Sequence, residues 1–314
     1  MWRMRFQWSN GMARMLGLWC SKTPCSSENH DPHLGHMVAG LGRLRVPDPR
    51  NLTIGHAASE DTRLVPKVMG GGAGEAARSD IHERWCLLYD GALYNAEAMR
   101  GELRAAGLAF CPTTDAEVIL QAFATWGEAA LSRLQGAFAL ALYDRQDDTL
   151  ILVRDPLGQK TLYYTTSPGH VVFASDLPSL IRRLHTVRVH SPAVLEWLLH
   201  RFLTSEDTLF EGVSAVRPGH LVKIRGEHMT QRAYMTPAHF VDADLYAHFL
   251  AAPEAVVVSE VRGALERSVQ DCLAGATPVG TFCSGGVDSS LVTTLASQCV
   301  PNLEAFHISP ADAA

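Results

Sequence analysis

The residue types in Ser284-Gly285-Gly286-Val287-Asp288-Ser289-Ser290 suit one chemical task, the holding of an anion. Three hydroxyls and two glycines crowd into seven positions with a single carboxylate. An apolar stretch precedes them (Val279, Thr281, Phe282, Cys283) and another follows (Leu291, Val292, Leu295). A strand, a tight turn and a helix start would aim backbone N–H groups and a helix N-terminus at one point, where negative charge is favoured. Glycine lets the backbone approach a phosphate without a Cβ in the way. Ser-Gly-Gly before a Ser/Asp helix start is also ordinary capping chemistry. The full string, set between a strand and a helix, favours a nucleotide site. It is not a Walker A loop, since no Gly-Lys-Ser/Thr follows, and it is not Gly-x-Gly-x-x-Gly.

Several elements must position this loop. Val257, Val261, Leu265, Val269 and Leu273 form one i, i+4 line and predict a helix. A strand over Val279–Cys283, a helix over Ser289–Ser297 and a strand over Leu303–Ile308 then make a β-α-β unit. Its loop lies at the carboxyl end of the first strand, where open α/β sheets bind ligands. Upstream, a strand is expected at Trp85–Leu88 and a helix over Glu97–Ala106, ending at Gly107. Thr114-Asp115-Ala116-Glu117 reads as a capping box. The helix it opens has Val118, Ile119, Ala122, Phe123 and Trp126 on its apolar face. Strands are expected at Ala137–Tyr143, Leu150–Arg154, Thr161–Tyr164, Val171–Ala174 and Leu221–Ile224. Turn chemistry at Asp147-Asp148, Pro156-Leu157-Gly158, Ser167-Pro168-Gly169 and Pro218-Gly219 separates them. Strands this closely spaced are antiparallel, because parallel crossovers need a longer connection. Helices are expected at Leu177–Leu184 and Pro192–Phe202. Gly70-Gly71-Gly72-Ala73-Gly74 reads as a surface loop. The polar stretch from Arg225 to Pro253 reads as a linker.

A chain of 314 residues with 47% apolar and 19% charged residues is expected to form two globular domains. A net charge of −6 excludes the overall basic footprint of a nucleic-acid-binding protein. Seven cysteines at irregular spacings, with no Cys-x-x-Cys, argue against zinc and for reduced thiols. No run approaches the ~18 apolar residues of a membrane helix. Met1–Cys20 lacks the apolar core and cleavage site of a signal peptide, so a cytoplasmic protein is expected.

The motifs, taken in order, resemble those of the asparagine synthetase family. Asp90-Gly91-Ala92-Leu93-Tyr94-Asn95 is similar to the family's Asn-Gly-Glu-(Ile/Leu)-Tyr-Asn turn. Thr114 to Leu120 resembles its Ser/Thr-Asp-x-Glu-Val-Ile helix start. Leu134 to Ala139, and Arg154-Asp155-Pro156-Leu157-Gly158 through Leu162-Tyr163-Tyr164, resemble two of its strand motifs. Ser284–Ser290 resembles its ATP-pyrophosphatase loop. The resemblance implies an α/β (α+β) fold in two parts. The first is an N-terminal αββα sandwich of Ntn-hydrolase type, a class II glutamine amidotransferase-like domain over 12–225. A linker at 226–253 follows, then a partial parallel α/β ATP-pyrophosphatase domain over 254–314. Residues 1–11 would be a tail or a mis-assigned start. The synthetase domain of the family runs further than Ala314, with a second acidic segment, which implies a truncated domain or completion by a second polypeptide.

The chain departs from the family in the amidotransferase half. Met12-Ala13-Arg14-Met15-Leu16-Gly17-Leu18-Trp19 aligns with the family opening and puts Ala13 where the nucleophilic cysteine should stand. That mechanism needs a free α-amine on the nucleophile, which neither Cys20 nor Cys25 has without proteolysis. The arginine that clamps the glutamine carboxylate falls near Ala58, where no guanidinium remains. The turn carries Asp90 and Ala92 instead of Asn and Glu. A carboxylate only accepts hydrogen bonds, so Asp90 cannot supply the amide N–H an oxyanion needs. Asp90, Gly91 and Asp115 are thus read as a remnant of a glutamine site in an inactive glutaminase.

For the ATP site, the resemblance implies that Ser284, Gly285, Gly286, Ser289 and Ser290 hold the pyrophosphate end, and that Asp288 ligates Mg²⁺. Phe282 and Ile308 are candidates to contact adenine, and equally plain strand core. His307 reads as a surface or rim histidine. The expected function is an AMP- and pyrophosphate-forming amide ligase acting on a small-molecule or peptide carboxylate. The alternatives are an amide-forming cyclase of the lasso-peptide or β-lactam type, and a non-catalytic remnant.

Overall fold

In the computed structural model, the described residues are 14–20, 52–57, 84–108, 114–144, 146–167, 170–184, 186–274 and 279–308. Ala13, Cys25, Ala58, residues 1–11, the glycine run at 70–74 and the Pro168-Gly169 turn lie outside them. Two compact units divide at Pro237 and Ala238.

The first unit begins with strands β1 (Arg14–Cys20), β2 (Leu52–Ala57) and β3 (Trp85–Leu93). Helices α1 (Ala96–Ala105) and α2 (Asp115–Trp126) follow, with a 3-10 turn at Gly127–Arg133. Strands β4 (Gly136–Asp144), β5 (Thr149–Arg154), β6 (Tyr163–Ser167) and β7 (His170–Ala174) come next. Then come helices α3 (Leu177–Ile181) and α4 (Ser191–His200), and strands β8 (Ser214–Ala215), β9 (His220–Arg225) and β10 (His228–Ala233). They build two five-stranded sheets, ordered β2-β1-β7-β6-β8 and β10-β9-β5-β4-β3, with antiparallel pairing throughout.

Strand β4 shows why the unit is layered. Its side chains alternate between two cores, as a period of two requires. Phe138, Leu140 and Leu142 join a core with α1 and α2, through Met99, Leu103, Val118, Ile119 and Phe123. Ala139, Ala141 and Tyr143 face the other sheet and join Leu162, Tyr164, Val171 and Phe173. On the far face of that sheet, Ala174 packs with Leu180 and Val213, which seats α3. The result is helix, sheet, sheet, helix, the expected αββα sandwich. Burying each large apolar side chain is worth about 1.5–3 kcal/mol, which is why β4 and β5 read as nearly continuous apolar runs.

Two expectations change. Asp90–Leu93 is not a turn but the end of β3, in register with Ala139 to Gly136 of β4. The turn is confined to Tyr94-Asn95, where the Asn95 side chain bonds the Arg133 carbonyl and the Gln135 N–H. The stretch 226–253 is not irregular. Residues 228–233 form β10, an edge strand paired with β9 around a turn at Gly226-Glu227, and all six of its residues are exposed.

A 3-10 turn at Pro237–Phe240 begins at the last residue of the first unit, and the second unit continues with helix α5 (Ala243–Ala251), capped by the Asp242 carboxylate. Helix α6 (Glu254–Leu273), strand β11 (Gly280–Phe282), helix α7 (Val287–Cys299) and strand β12 (Glu304–Phe306) complete it. β11 and β12 pair in parallel with α7 as the crossover, the β-α-β unit read from the sequence. Among the described residues, no helix is long and apolar enough to cross a membrane.

Candidate functional site

The loop leaves β11 at its carboxyl end and enters α7 at Val287. Gly285 adopts φ +84°, a conformation that L side chains rarely take, and a Cβ built there would touch nothing within 4 Å. The turn therefore needs glycine for its backbone shape, and the space above it is open. Gly286 is the N-cap of α7 and offers no side-chain cap to the first helical turn. Those N–H groups are the positive end of a 13-residue helix.

The hydroxyls fix the loop's shape. Ser289 Oγ accepts from the Ser284 N–H at 3.2 Å, donates to the Gly286 carbonyl at 3.2 Å, and lies 3.0 Å from Ser284 Oγ. Ser284 Oγ in turn accepts from the Gly286 N–H at 3.4 Å. Ser290 Oγ lies 3.8 Å from Cys283 Sγ, and Thr293 donates to Thr281 at 3.2 Å to tie α7 to β11. The Cys283 thiol is held below the ordinary cysteine value, first by the Gly285 N–H and then by the Ser290 hydroxyl. A loop that lowers a thiol's pKa is one whose local field favours negative charge.

The structure brings Ser284, Gly285, Gly286, Ser289 and Ser290 together in one turn, with Asp288 exposed in the first turn of α7. Phe282 and Ile308 are 75% and 79% exposed, so in this unit neither is strand core. Phe282 instead lies near Phe306, ring centroids 6.1 Å apart, at the strand ends beside the loop. His307, read from the sequence as a rim residue, carries a specific bond: its Nδ1 lies 2.8 Å from the Cys283 carbonyl oxygen.

In the first unit, Asp90 and Gly91 lie on β3 and Asp115 bonds that strand. Asp90 is buried on β3, and its Oδ1 accepts from Lys160 Nζ at 2.8 Å. Asp115, at the start of α2, accepts from the Leu93 N–H at 2.9 Å and from the Tyr89 hydroxyl at 3.4 Å. Burial first, and then the charges of Asp115 and Asp90, push the Tyr89 phenol far above its usual value, so it stays a donor. Gly91, next to Asp90, lies at a close backbone contact with Ala137 of β4. Lys160 did not stand out in the sequence, although its surroundings are strongly built. The fully buried Asp155 carboxylate accepts from the N–H groups of Leu157, Gln159 and Lys160 at 3.1, 2.9 and 2.8 Å. Arg154 bonds the carbonyls of Lys160, Gly158 and Val216. Adjacent Arg154-Asp155 followed by the Pro156-Leu157-Gly158 turn was the available signal that Lys160 is held in place.

A family profile described as glutamine amidotransferase domain matches residues 27–235, and one described as asparagine synthase matches residues 260–312. The chain is 33% identical over 280 residues to glutamine-hydrolyzing asparagine synthetase 1 of Bacillus subtilis, covering 89% of this chain and 39% of that protein. It is 29% identical over 256 residues to glutamine-hydrolyzing asparagine synthetase 3 of the same organism, covering 81% of this chain and 40% of that protein. Thus the chain spans about two fifths of the length of these curated relatives, at 39% and 40%. Among solved structures it aligns with glutamine phosphoribosylpyrophosphate amidotransferase from B. subtilis at 14% identity and a TM-score of 0.44, over 96% of this chain and 69% of that one.

Proposed function

The chain belongs to the asparagine synthetase family, and from that premise we propose that it serves an ATP-dependent amide ligase. The reaction would release AMP and pyrophosphate and activate a small-molecule or peptide carboxylate as its acyl-adenylate. One observation carries this reading: the open, uncapped N-terminus of α7 facing a hydroxyl-rich glycine turn at the end of β11. Ser284, Gly285, Gly286, Ser289 and Ser290 would hold the pyrophosphate end through N–H and O–H donors. Phe282 and Ile308, exposed beside the loop, would flank the adenine.

The donor set fits Mg²⁺ as a shared ion. Among the described residues no group of three His, Cys, Asp or Glu is placed to cage a metal. Asp288 alone would reach it, which suits a cation that takes one or two carboxylates and completes its shell with phosphate oxygens and water. Bound there, Mg²⁺ would neutralise charge on the departing pyrophosphate.

The first unit, in this reading, is a scaffold without glutamine hydrolysis. Ala13 at the nucleophile position supports this, as does Asp90, whose carboxylate already accepts Lys160. The amine then comes from free ammonia, or from the substrate itself as in an amide-forming cyclase.

The test is ATP binding with and without Mg²⁺ by the purified chain, alongside glutamate release from glutamine. Mg²⁺-dependent binding is expected, weakened about tenfold or more by Asp288→Asn or Ser289→Ala, with no glutamate released. Folded protein that ignores ATP at millimolar concentration would sink the ligase reading. Glutamate release would sink the scaffold reading.

A further inference from the structure

β11 and β12 part company at a defined bond. The Cys283 N–H donates to the Phe306 carbonyl at 2.9 Å, the last ladder bond between the two strands. In a parallel ladder the Cys283 carbonyl would next accept the N–H of the residue two beyond Phe306, which is Ile308. That backbone bond is not made. The His307 imidazole takes its place, with Nδ1 at 2.8 Å from the carbonyl oxygen. A carbonyl only accepts, so Nδ1 is the donor in this bond. The ladder is ended by a side chain in place of a peptide group. The strands can then diverge at their carboxyl ends while the carbonyl of the residue before Ser284 stays satisfied.

Everything in the loop hangs from that residue. The Ser284 N–H bonds Ser289, Ser284 Oγ accepts from Gly286, and Cys283 Sγ sits beside Ser290. Cys283 is thus held on two sides, its N–H by β12 and its carbonyl by His307. We propose that His307 is a positioning residue for the anion loop: its Nδ1–H clamps the Cys283 carbonyl and fixes the direction in which Ser284-Gly285-Gly286 leaves the sheet. The inference rests on the reading of this loop as a pyrophosphate site, and its own structural test does not.

Site-resolved hydrogen exchange on the peptide spanning 280–290 provides that test, because the Cys283, Ser284, Gly286 and Ser290 amides are all bonded. His307→Ala should speed exchange there by about three- to tenfold, the share of one neutral hydrogen bond. His307→Asn places an amide N–H near the position of Nδ1 and should restore the wild-type rate. His307→Gln places its amide near Nε2 and should not. Titration with inorganic pyrophosphate and Mg²⁺ should rank the variants in the same order, while adenosine affinity stays constant. Unchanged exchange in His307→Ala, or equal rescue by Gln and Asn, would overturn the clamp. Faster exchange with unchanged pyrophosphate affinity would overturn its positioning role. A wild-type chain that binds no pyrophosphate would overturn the ligase reading, with the exchange rates still deciding the clamp. Circular dichroism of each variant confirms that α6 and α7 remain folded.

Discussion

Asp144, at the end of β4, links the stability of the first unit to pH. Burial pushes its carboxyl up, but the Arg84 guanidinium and the N–H groups of Gln146 and Asp147 outweigh that and hold it below the usual carboxylate value. Arg84 Nη2 lies 2.7 Å from Oδ2 and Nε lies 3.1 Å from Oδ1, a forked pair. A carboxyl depressed in the folded state contributes stability above its unfolded value near pH 4, and loses it as pH falls through the folded value. Glu128, depressed in the same sense by Lys223 and Arg232 against its own burial, adds to that limb. The Arg84 side chain is 40% exposed, so solvent screens the pair. Arg84→Met should cost about 1–2 kcal/mol in urea unfolding at pH 7, and the gap should narrow as pH falls through the depressed folded value of Asp144. A gap that stays constant from pH 7 to pH 2 would show that the pair is not the source.

Strand pairing at Gly91 is tighter than side chains allow. Gly91 takes φ +150°, and a Cβ there would stand 2.1 Å from the Ala137 carbonyl oxygen of β4. Neither atom belongs to a flexible side chain, so β3 and β4 would have to separate. Gly91→Ala should destabilise the first unit by about 3 kcal/mol or more, and the loss of the Leu93 N–H bond to Asp115 should appear with it. A midpoint within error of wild type would refute the close contact. The same elements show what a sequence discloses. Thr114 and Glu117 form the expected capping box, with both reciprocal bonds present. β4 and β5 were legible because both faces are buried. Asp90–Leu93 was not, because glycine and aspartate read as turn residues, and only the pairing with Gly136–Ala139 of β4 makes them a strand. β10 escaped for the opposite reason: every residue is exposed, so no apolar alternation marks it. The loop was legible as residues, but His307 was not, since its role depends on where the β11–β12 ladder ends.

At the scale of the whole chain, the two units differ in how much they bury. The first has three apolar clusters, including fully buried Phe138, Phe173 and Met99. In the second, the buried apolar residues among those described are Leu295 and Ala296, and none of the 20 residues of α6 is buried. Since burial is the main favourable term in folding, the second unit should open at much lower denaturant. The chain supplies the probe that separates them. All six tryptophans, from Trp2 to Trp197, precede Pro237, so their fluorescence follows the first unit alone. Far-UV circular dichroism also follows α5, α6 and α7. Urea titration should therefore give a dichroism transition that begins before any change in fluorescence. ATP with Mg²⁺ at 100 times its Kd should move only that early transition, by about 2.7 kcal/mol. Coincident curves would mean that the units unfold as one. A shift of the tryptophan transition alone would place the nucleotide in the first unit and refute the assignment of Ser284–Ser290.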